Sequence, residues 1–124
     1  NIDILDIPFD DQSFDLILCN HVLEHIQDDH KAMSELKRVL KKGGQAILQV
    51  PIAKNSARTY EDFSITNPKE REAAFGQFNH VRIYGQDYME RLQNAGFKVN
   101  RISISSKYRK AALNKDEDLF VCYA

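Results

Sequence analysis

The chain has 124 residues, 43% of them hydrophobic and 28% charged, which suits one small globular domain and excludes a disordered or fibrous chain. Its 17 basic and 18 acidic residues leave a net charge of -1, too even a balance to mark out nucleic acid or an anionic membrane as a partner, so small or neutral partners fit better. There is no apolar run long enough to span a bilayer and no hydrophobic signal core, and the expected location is cytoplasmic, with neither membrane nor nucleic acid as partner.

Phe14 to Asn20 is a nearly continuous apolar run, as expected of a parallel-sheet strand covered on both faces. From Asp28 to Lys41 the residues Ala32, Met33, Leu36, Val39 and Leu40 fall on one helical stripe. Asp28 or Asp29 can cap its start, Lys37, Arg38 and Lys41 complement the dipole at its end, and Gly43 supplies the C-cap. Gln45 to Val50 repeats the strand signal and stops at Pro51. The region from Ala53 to Tyr84 reads as a long polar and aromatic loop, inserted as a lid or binding element.

A second helix is predicted from about Gly85 to Ala95, with Tyr88, Met89, Leu92 and Ala95 inward and Gly96 as its stop. Phe97 to Ile104 and Leu119 to Tyr123 read as strands, joined by a solvated basic connection from Lys107 to Lys115. Cys19 and Cys122 both sit in apolar runs, so two buried reduced thiols are expected rather than a disulfide. Alternating strands and helices imply an α/β fold with its ligands at the carboxyl ends of the strands.

Two stretches carry more than architecture. Asp3-Ile4-Leu5-Asp6-Ile7-Pro8-Phe9-Asp10-Asp11-Gln12-Ser13-Phe14-Asp15 runs directly into the first strand, and His21-Val22-Leu23-Glu24-His25-Ile26 follows it. Glu35-Leu36-Lys37-Arg38-Val39-Leu40-Lys41-Lys42-Gly43-Gly44 comes next in the same order. Over about the first fifty residues this resembles the class I S-adenosylmethionine-dependent methyltransferases, Rossmann-like and of the type 11 kind. The resemblance implies a partial methyltransferase sheet, mostly parallel with an antiparallel last strand and flanking helices, and methyl transfer to an unidentified acceptor, a small molecule by expectation. A methyltransferase-like interaction domain without catalysis is the alternative.

Several residue roles follow from the resemblance. The residue in the position of Asp3 accepts a hydrogen bond from the adenine amino group and that of Ile4 packs on the ring, tasks that a carboxylate and an aliphatic face suit; Asp3 as a plain turn residue is the other reading. Asn20 and His21, at the strand end, line the methionine part of S-adenosylmethionine. His25 is a general base for the acceptor or a structural histidine near the helix start. His80, Arg82 and Tyr84 resemble a recurring feature of a bacterial branch of the family, and alternation in an extended segment would put them on one wall of the acceptor site; alternatively they lead into the helix, with Tyr84 in the core.

His21-Val22-Leu23-Glu24-His25 also fits H-x-x-E-H, a pattern of inverted zinc peptidases. It follows a buried strand and has no third ligand at a defined spacing, so no metal is expected. A nicotinamide-binding fold would need G-x-G-x-x-G, which is absent; Gly43, Gly44, Gly76, Gly85 and Gly96 punctuate elements instead. The family's glycine-rich cofactor loop is absent too. The chain is therefore expected to be the C-terminal part of one methyltransferase domain across residues 1–124, inactive alone and weak toward the cofactor. With two family strands missing beside Phe14 to Asn20, Leu16, Ile17 and Leu18 are expected on an exposed sheet edge open to self-association.

Overall fold

The computed structural model describes residues 2–102 and 118–124. Strands β1 (Phe14–Asn20), β2 (Leu40–Gln49), β5 (Lys98–Ile102) and β6 (Leu119–Tyr123) form one sheet in the order β1-β2-β6-β5. β1 and β2 pair in parallel, while β6 runs antiparallel to both β2 and β5. The sheet is therefore mostly parallel with a reversed last strand, and the α/β Rossmann-like expectation holds.

Helix α1 (Asp29–Val39) starts where its cap was read: the Asp28 carboxylate accepts from the Lys31 amide at 3.1 Å. Ala32, Met33, Leu36 and Val39 are buried along its inner stripe. The helix ends earlier than Lys41. Leu40, 1% exposed, turns to extended geometry and pairs with Phe14, so the sheet wins over the helix propensity of the following lysines. Gly43 thus sits in the bulge between Leu40 and Gln45, with φ +83, and not at the helix end.

The second helix, α3 (Tyr88–Asn94), is shorter than read, and its Tyr88 hydroxyl donates to the Leu48 carbonyl at 2.8 Å inside the core. Strand β5 matches the reading from Phe97 within its described part. Lys107 to Lys115 lies outside the described residues. Cys19 and Cys122 are both buried and unbridged. Burial pushes their thiols up, to about 11 and about 12, with Glu24 adding to the rise at Cys19.

The reading of 53–84 as a loop is corrected. Strands β3 (Tyr60–Glu61) and β4 (Arg82–Ile83) pair antiparallel, and helix α2 (Pro68–Phe75) lies between them. The signals were local and present. The Asn67 side chain accepts from the Lys69 and Glu70 amides, Pro68 occupies the first turn, and Gly76 closes the helix at φ +86, a left-handed position that disfavours any residue with a Cβ. Only Phe75 of this helix is buried, so the apolar stripe that marks most helices was missing.

Along β1 the outer edge has no strand partner among the described residues, and Leu16 and Leu18 are 56% and 64% exposed, as the sequence led us to expect. Residues 2–13 form no strand. They are clamped to α1: Glu35 accepts from the Ile7 amide at 2.8 Å, and Arg38 donates to the carbonyls of Ile7 and Phe9 and to Asp11.

Hydrogen bonds from Arg38, then from the Ile7 amide, hold the Glu35 carboxyl down at about 2. Its folded value lies below the unfolded one, so the clamp contributes fully above the usual glutamate range, about 4.3. That contribution fades as pH falls toward 2. The urea midpoint should therefore hold above pH ~5 and drop steadily below it, with a shallower drop in Glu35→Gln, as measured by far-UV dichroism across a pH series.

Candidate functional site

At the carboxyl end of β1 the chain bends at His21, whose φ of +56 is left-handed, a conformation that histidine adopts more readily than most residues with a side chain. The His21 amide donates to the Gln49 carbonyl at 2.8 Å, which ties the bend to the end of β2. A 3-10 turn, Leu23–His25, follows. It places Glu24 inside, 2% exposed, and leaves His25 half-buried.

β4 docks on this turn. The Val81 amide donates to the Glu24 carbonyl at 3.0 Å. Arg82, 1% exposed, donates from Nη1 to the carbonyls of Leu23 (2.8 Å) and Ile26, from Nη2 to that of Gln27 (2.7 Å), and from Nε to Glu61 (2.9 Å). The carbonyls of Ile26 and Gln27, and the second lone pair of Leu23, which also accepts from the Ile26 amide at 3.2 Å, are thereby satisfied from a distant part of the chain.

Beside Arg82, the Tyr84 hydroxyl donates to Asp29 at 2.7 Å, and Arg91 bridges Asp29 (2.8 Å) and Glu61 (3.1 Å). Burial pulls the Glu61 carboxyl upward, but hydrogen bonds from Arg91 and Arg82 outweigh it and the net shift is down. Burial, then the charge of Asp29, raises the Tyr84 phenol far above its ordinary value.

His25 Nδ1 lies 3.0 Å from the Asn79 carbonyl. A carbonyl only accepts, so Nδ1 carries the proton, and Nε2 of the neutral ring keeps its lone pair. The His80 ring meets that of His25 edge to face, with centroids 4.5 Å apart. Burial, then the nearby His25 and His21, holds the His80 pKa below the usual histidine value, so its ring is neutral at pH 7. Glu24 and His80 line a cavity of about 250 Å³, together with Pro51, Phe75, Gln77 and Arg82.

A second, larger groove of about 560 Å³ runs along β1, lined by Ile2, Ile4, Ile17, Leu18, Asn20 and Val22 among others. Asp3 stands between Ile2 and Ile4. One of its carboxylate oxygens accepts from the Leu5 amide at 2.9 Å, and the other is unengaged among the described residues. A spare acceptor oxygen beside an aliphatic surface fits an adenine ring and its amino group, and the exposed Asn20 and His21 stand at the strand end.

The sequence-derived residues thus fall into two groups, with Ile4 and Asn20 lining the groove and Asp3 next to it in the chain, and His25 and His80 at the turn. His80 and Arg82 do meet the same turn, His80 against His25 and Arg82 at the turn's carbonyls, while Tyr84 reaches Asp29 instead. Arg82 and Tyr84, however, are spent on the protein's own carbonyls and carboxylates, and Tyr84 lies in the core. Sequence reasoning passed over Glu24 as a site residue although it directly precedes His25. It also passed over Asn79, Asp29, Glu61 and Arg91, whose pairing has no local signature. Breaking so buried an ion pair typically costs about 3–5 kcal/mol. Arg82→Met is expected to lower stability by about that much in urea unfolding, while Arg58→Met, at an exposed pair, should change it by less than about 0.5 kcal/mol.

With this geometry in place, comparison with known proteins is informative. The family model described as "Methyltransferase domain" matches residues 1–48, a span that holds Asp3, Ile4, Asn20, His21 and His25. The protein MJ1123 of Methanocaldococcus jannaschii is 34% identical over 95 residues, 75% of this chain and 42% of its own length. ECU09_1500 of Encephalitozoon cuniculi, which carries a methyltransferase name, is 32% identical over 108 residues, 78% of this chain and 50% of its own. This chain spans about half the length of these curated relatives. Among solved structures, the Haloferax volcanii protein in complex with the Trm112 methyltransferase activator superposes with a TM-score of 0.63 at 19% identity, over 98% of this chain and 59% of that one. Residues 1–48 thus carry the methyltransferase-domain pattern, and the chain has the fold of the class I S-adenosylmethionine-dependent methyltransferases.

Proposed function

We propose that the protein transfers a methyl group from S-adenosylmethionine to a small-molecule acceptor. The observation that carries this reading is the match of the methyltransferase family model across the whole run from Asp3 to His25, residues that the fold distributes between a groove and the strand-end turn. Bound in that groove, the cofactor supplies an already activated methyl group on a sulfonium, so the protein's task is alignment and exclusion of water.

Asp3 holds the adenine amino group with its unengaged oxygen, and Ile4 covers the ring. Asn20 and His21, fixed by the left-handed bend and the bond to Gln49, receive the methionine end. His25 stands on the acceptor side. Its ring is oriented by the Asn79 carbonyl, and its Nε2 lone pair is the group offered to the acceptor. His80 forms the facing wall, and Arg82 and Tyr84 are positioning residues that set the turn. No described helix is long and apolar enough to cross a membrane, which is consistent with an acceptor taken from solution. The open β1 edge is where we place association with a further polypeptide, a second copy included, and sedimentation will show whether it forms.

Two substitutions separate the roles. Asp3→Ala should weaken S-adenosylhomocysteine binding in calorimetry by about 1–3 kcal/mol, the loss of a hydrogen bond to an otherwise unpaired donor, with the unfolding midpoint unchanged. Unchanged affinity would remove Asp3 as the adenine reader. His25→Gln should lower transfer of a labelled methyl group by about 10²–10⁴-fold. Its affinity for S-adenosylhomocysteine should stay within twofold, and a parallel loss of both would place His25 on the cofactor side instead.

A further inference from the structure

Glu24 presents an unresolved electrostatic problem. Its side chain is 2% exposed, and neither carboxylate oxygen has a hydrogen-bond partner. A buried carboxylate without hydrogen bonds costs several kcal/mol, so native structures rarely leave one unanswered. The arginine of the same cavity does not answer it. Arg82 lines the same cavity, but its Nε, Nη1 and Nη2 donate to Glu61 and to three backbone carbonyls, and its charge is met by Glu61 at 2.9 Å and Asp29 at 3.8 Å. His21 Nδ1 stands 3.5 Å from Glu24 Oε2, outside good hydrogen-bond distance, and lies largely in solvent.

The groups around this carboxylate are metal donors. One donor atom from each of Glu24, His25 and His80 lies within 4.8 Å of the other two. Three atoms so spaced leave a point no more than about 2.8 Å from each, so contraction by less than an ångström reaches the ~2.0–2.2 Å of zinc bonds to imidazole and carboxylate. His25 is held as metal-ligating histidines commonly are, with one ring nitrogen donating to a backbone carbonyl, here that of Asn79 at 3.0 Å.

We propose that Glu24, His25 and His80 bind a divalent transition-metal ion of the zinc class beside the cavity that Glu24 and His80 line. Two imidazoles and one carboxylate form a three-ligand set of the catalytic rather than the structural kind, which leaves further positions open to an oxygen or nitrogen donor. The carboxylate gains a permanent counter-charge beside the long pair with the half-exposed His21, and the sum of ion and ligands is +1. This is not the H-x-x-E-H peptidase arrangement, in which both histidines of the motif are ligands. Here the third ligand is His80, from far along the chain. The inference deepens the acceptor side of the proposed site and rests on that reading for its use: an acceptor hydroxyl, amine or carboxylate would be the group presented to the open positions. Binding itself is independent of methyl transfer.

The test is titration of the chelator-stripped full-length protein, without cofactor or acceptor, with Zn²⁺ by calorimetry and with Co²⁺ by visible absorption. One equivalent should bind with micromolar or tighter affinity, and the Co²⁺ bands should be those of a four- or five-coordinate nitrogen and oxygen site. His80→Ala should weaken binding by more than about tenfold, whereas His30→Ala, at an exposed histidine outside the cluster, should not. Glu24→Gln guards against a folding artefact. It should raise the thermal midpoint of the metal-free protein, because it removes an unanswered charge, and abolish the further rise that Zn²⁺ gives the native sequence. The proposal is overturned if Co²⁺ binds only at millimolar concentration, if the two histidine variants weaken it equally, or if Glu24→Gln leaves the Zn²⁺-dependent rise intact. Methyl transfer that survives exhaustive chelation, together with no stoichiometric Co²⁺ binding, removes the cation and leaves the methyltransferase reading standing. Stoichiometric binding with no transfer to any acceptor does the reverse.

Discussion

The buried guanidinium of Arg82 is the constraint on which the site depends. A 3-10 turn of three residues satisfies few of its own carbonyls, and in this chain the carbonyls of Leu23, which already accepts from the Ile26 amide, and of Ile26 and Gln27 all receive hydrogen bonds from one side chain on β4. The planar fork of arginine can serve several acceptors at once, which lysine could not. Glu61 and Asp29 balance the charge and are themselves shared with Arg91, so β3, β4, α1 and α3 meet at a single ionic network. Such networks are not strong sources of net stability, because desolvation consumes most of the Coulombic gain. What this one secures is position. With Arg82 fixed, His80 two residues earlier has to lie against His25.

The other half of the site is set by the sheet. β1 and β2 end side by side in parallel, and the left-handed bend at His21 is anchored on Gln49, so the chain leaves the sheet abruptly at its ligand edge. Parallel α/β sheets gather ligands there because strand ends and loops converge on one side. Residues 2–13 reach the same neighbourhood by a different route, as irregular chain held down by Glu35 and Arg38 of α1. Ile4 and Asn20 come to one groove through two separate attachments, one ionic and one from the sheet ladder.

The contrast between Arg82 and Glu24 shows how differently two buried charges can be treated. Each donor nitrogen of Arg82 is matched, and its pairing reads as structural. Glu24 is as deeply buried, yet its oxygens have no hydrogen-bond partner and stand beside two imidazoles. Uncompensated polarity at a cavity wall is a cost that a purely structural residue would not carry. Familiar methyltransferase topology does not account for it, since fold and site chemistry are separate matters.

Local regularities determined the rest. The apolar run of β1, the stripe and cap of α1 and the bounds of β6 follow from periodicity and capping, which act over a few residues, so the sequence alone determined the fold class and the candidate ligand edge. The motif residues Asp3, Ile4, Asn20, His21 and His25 were legible for the same reason, being contiguous or nearly so. Even the missed helix α2 had its Asn-Pro start and glycine stop in view, and was passed over only because it buries a single residue. What the sequence did not determine was which charged groups would meet. His80, Arg82 and Tyr84 formed an alternating trio on paper. Only the tertiary structure decided that one faces His25 while the other two are consumed by the turn and by Asp29, and that Glu24 gains histidine neighbours from two separate segments. Hydrogen-bond and ion pairing between distant segments depends on where the packed backbone places each donor, and no short-range pattern in the chain encodes that placement.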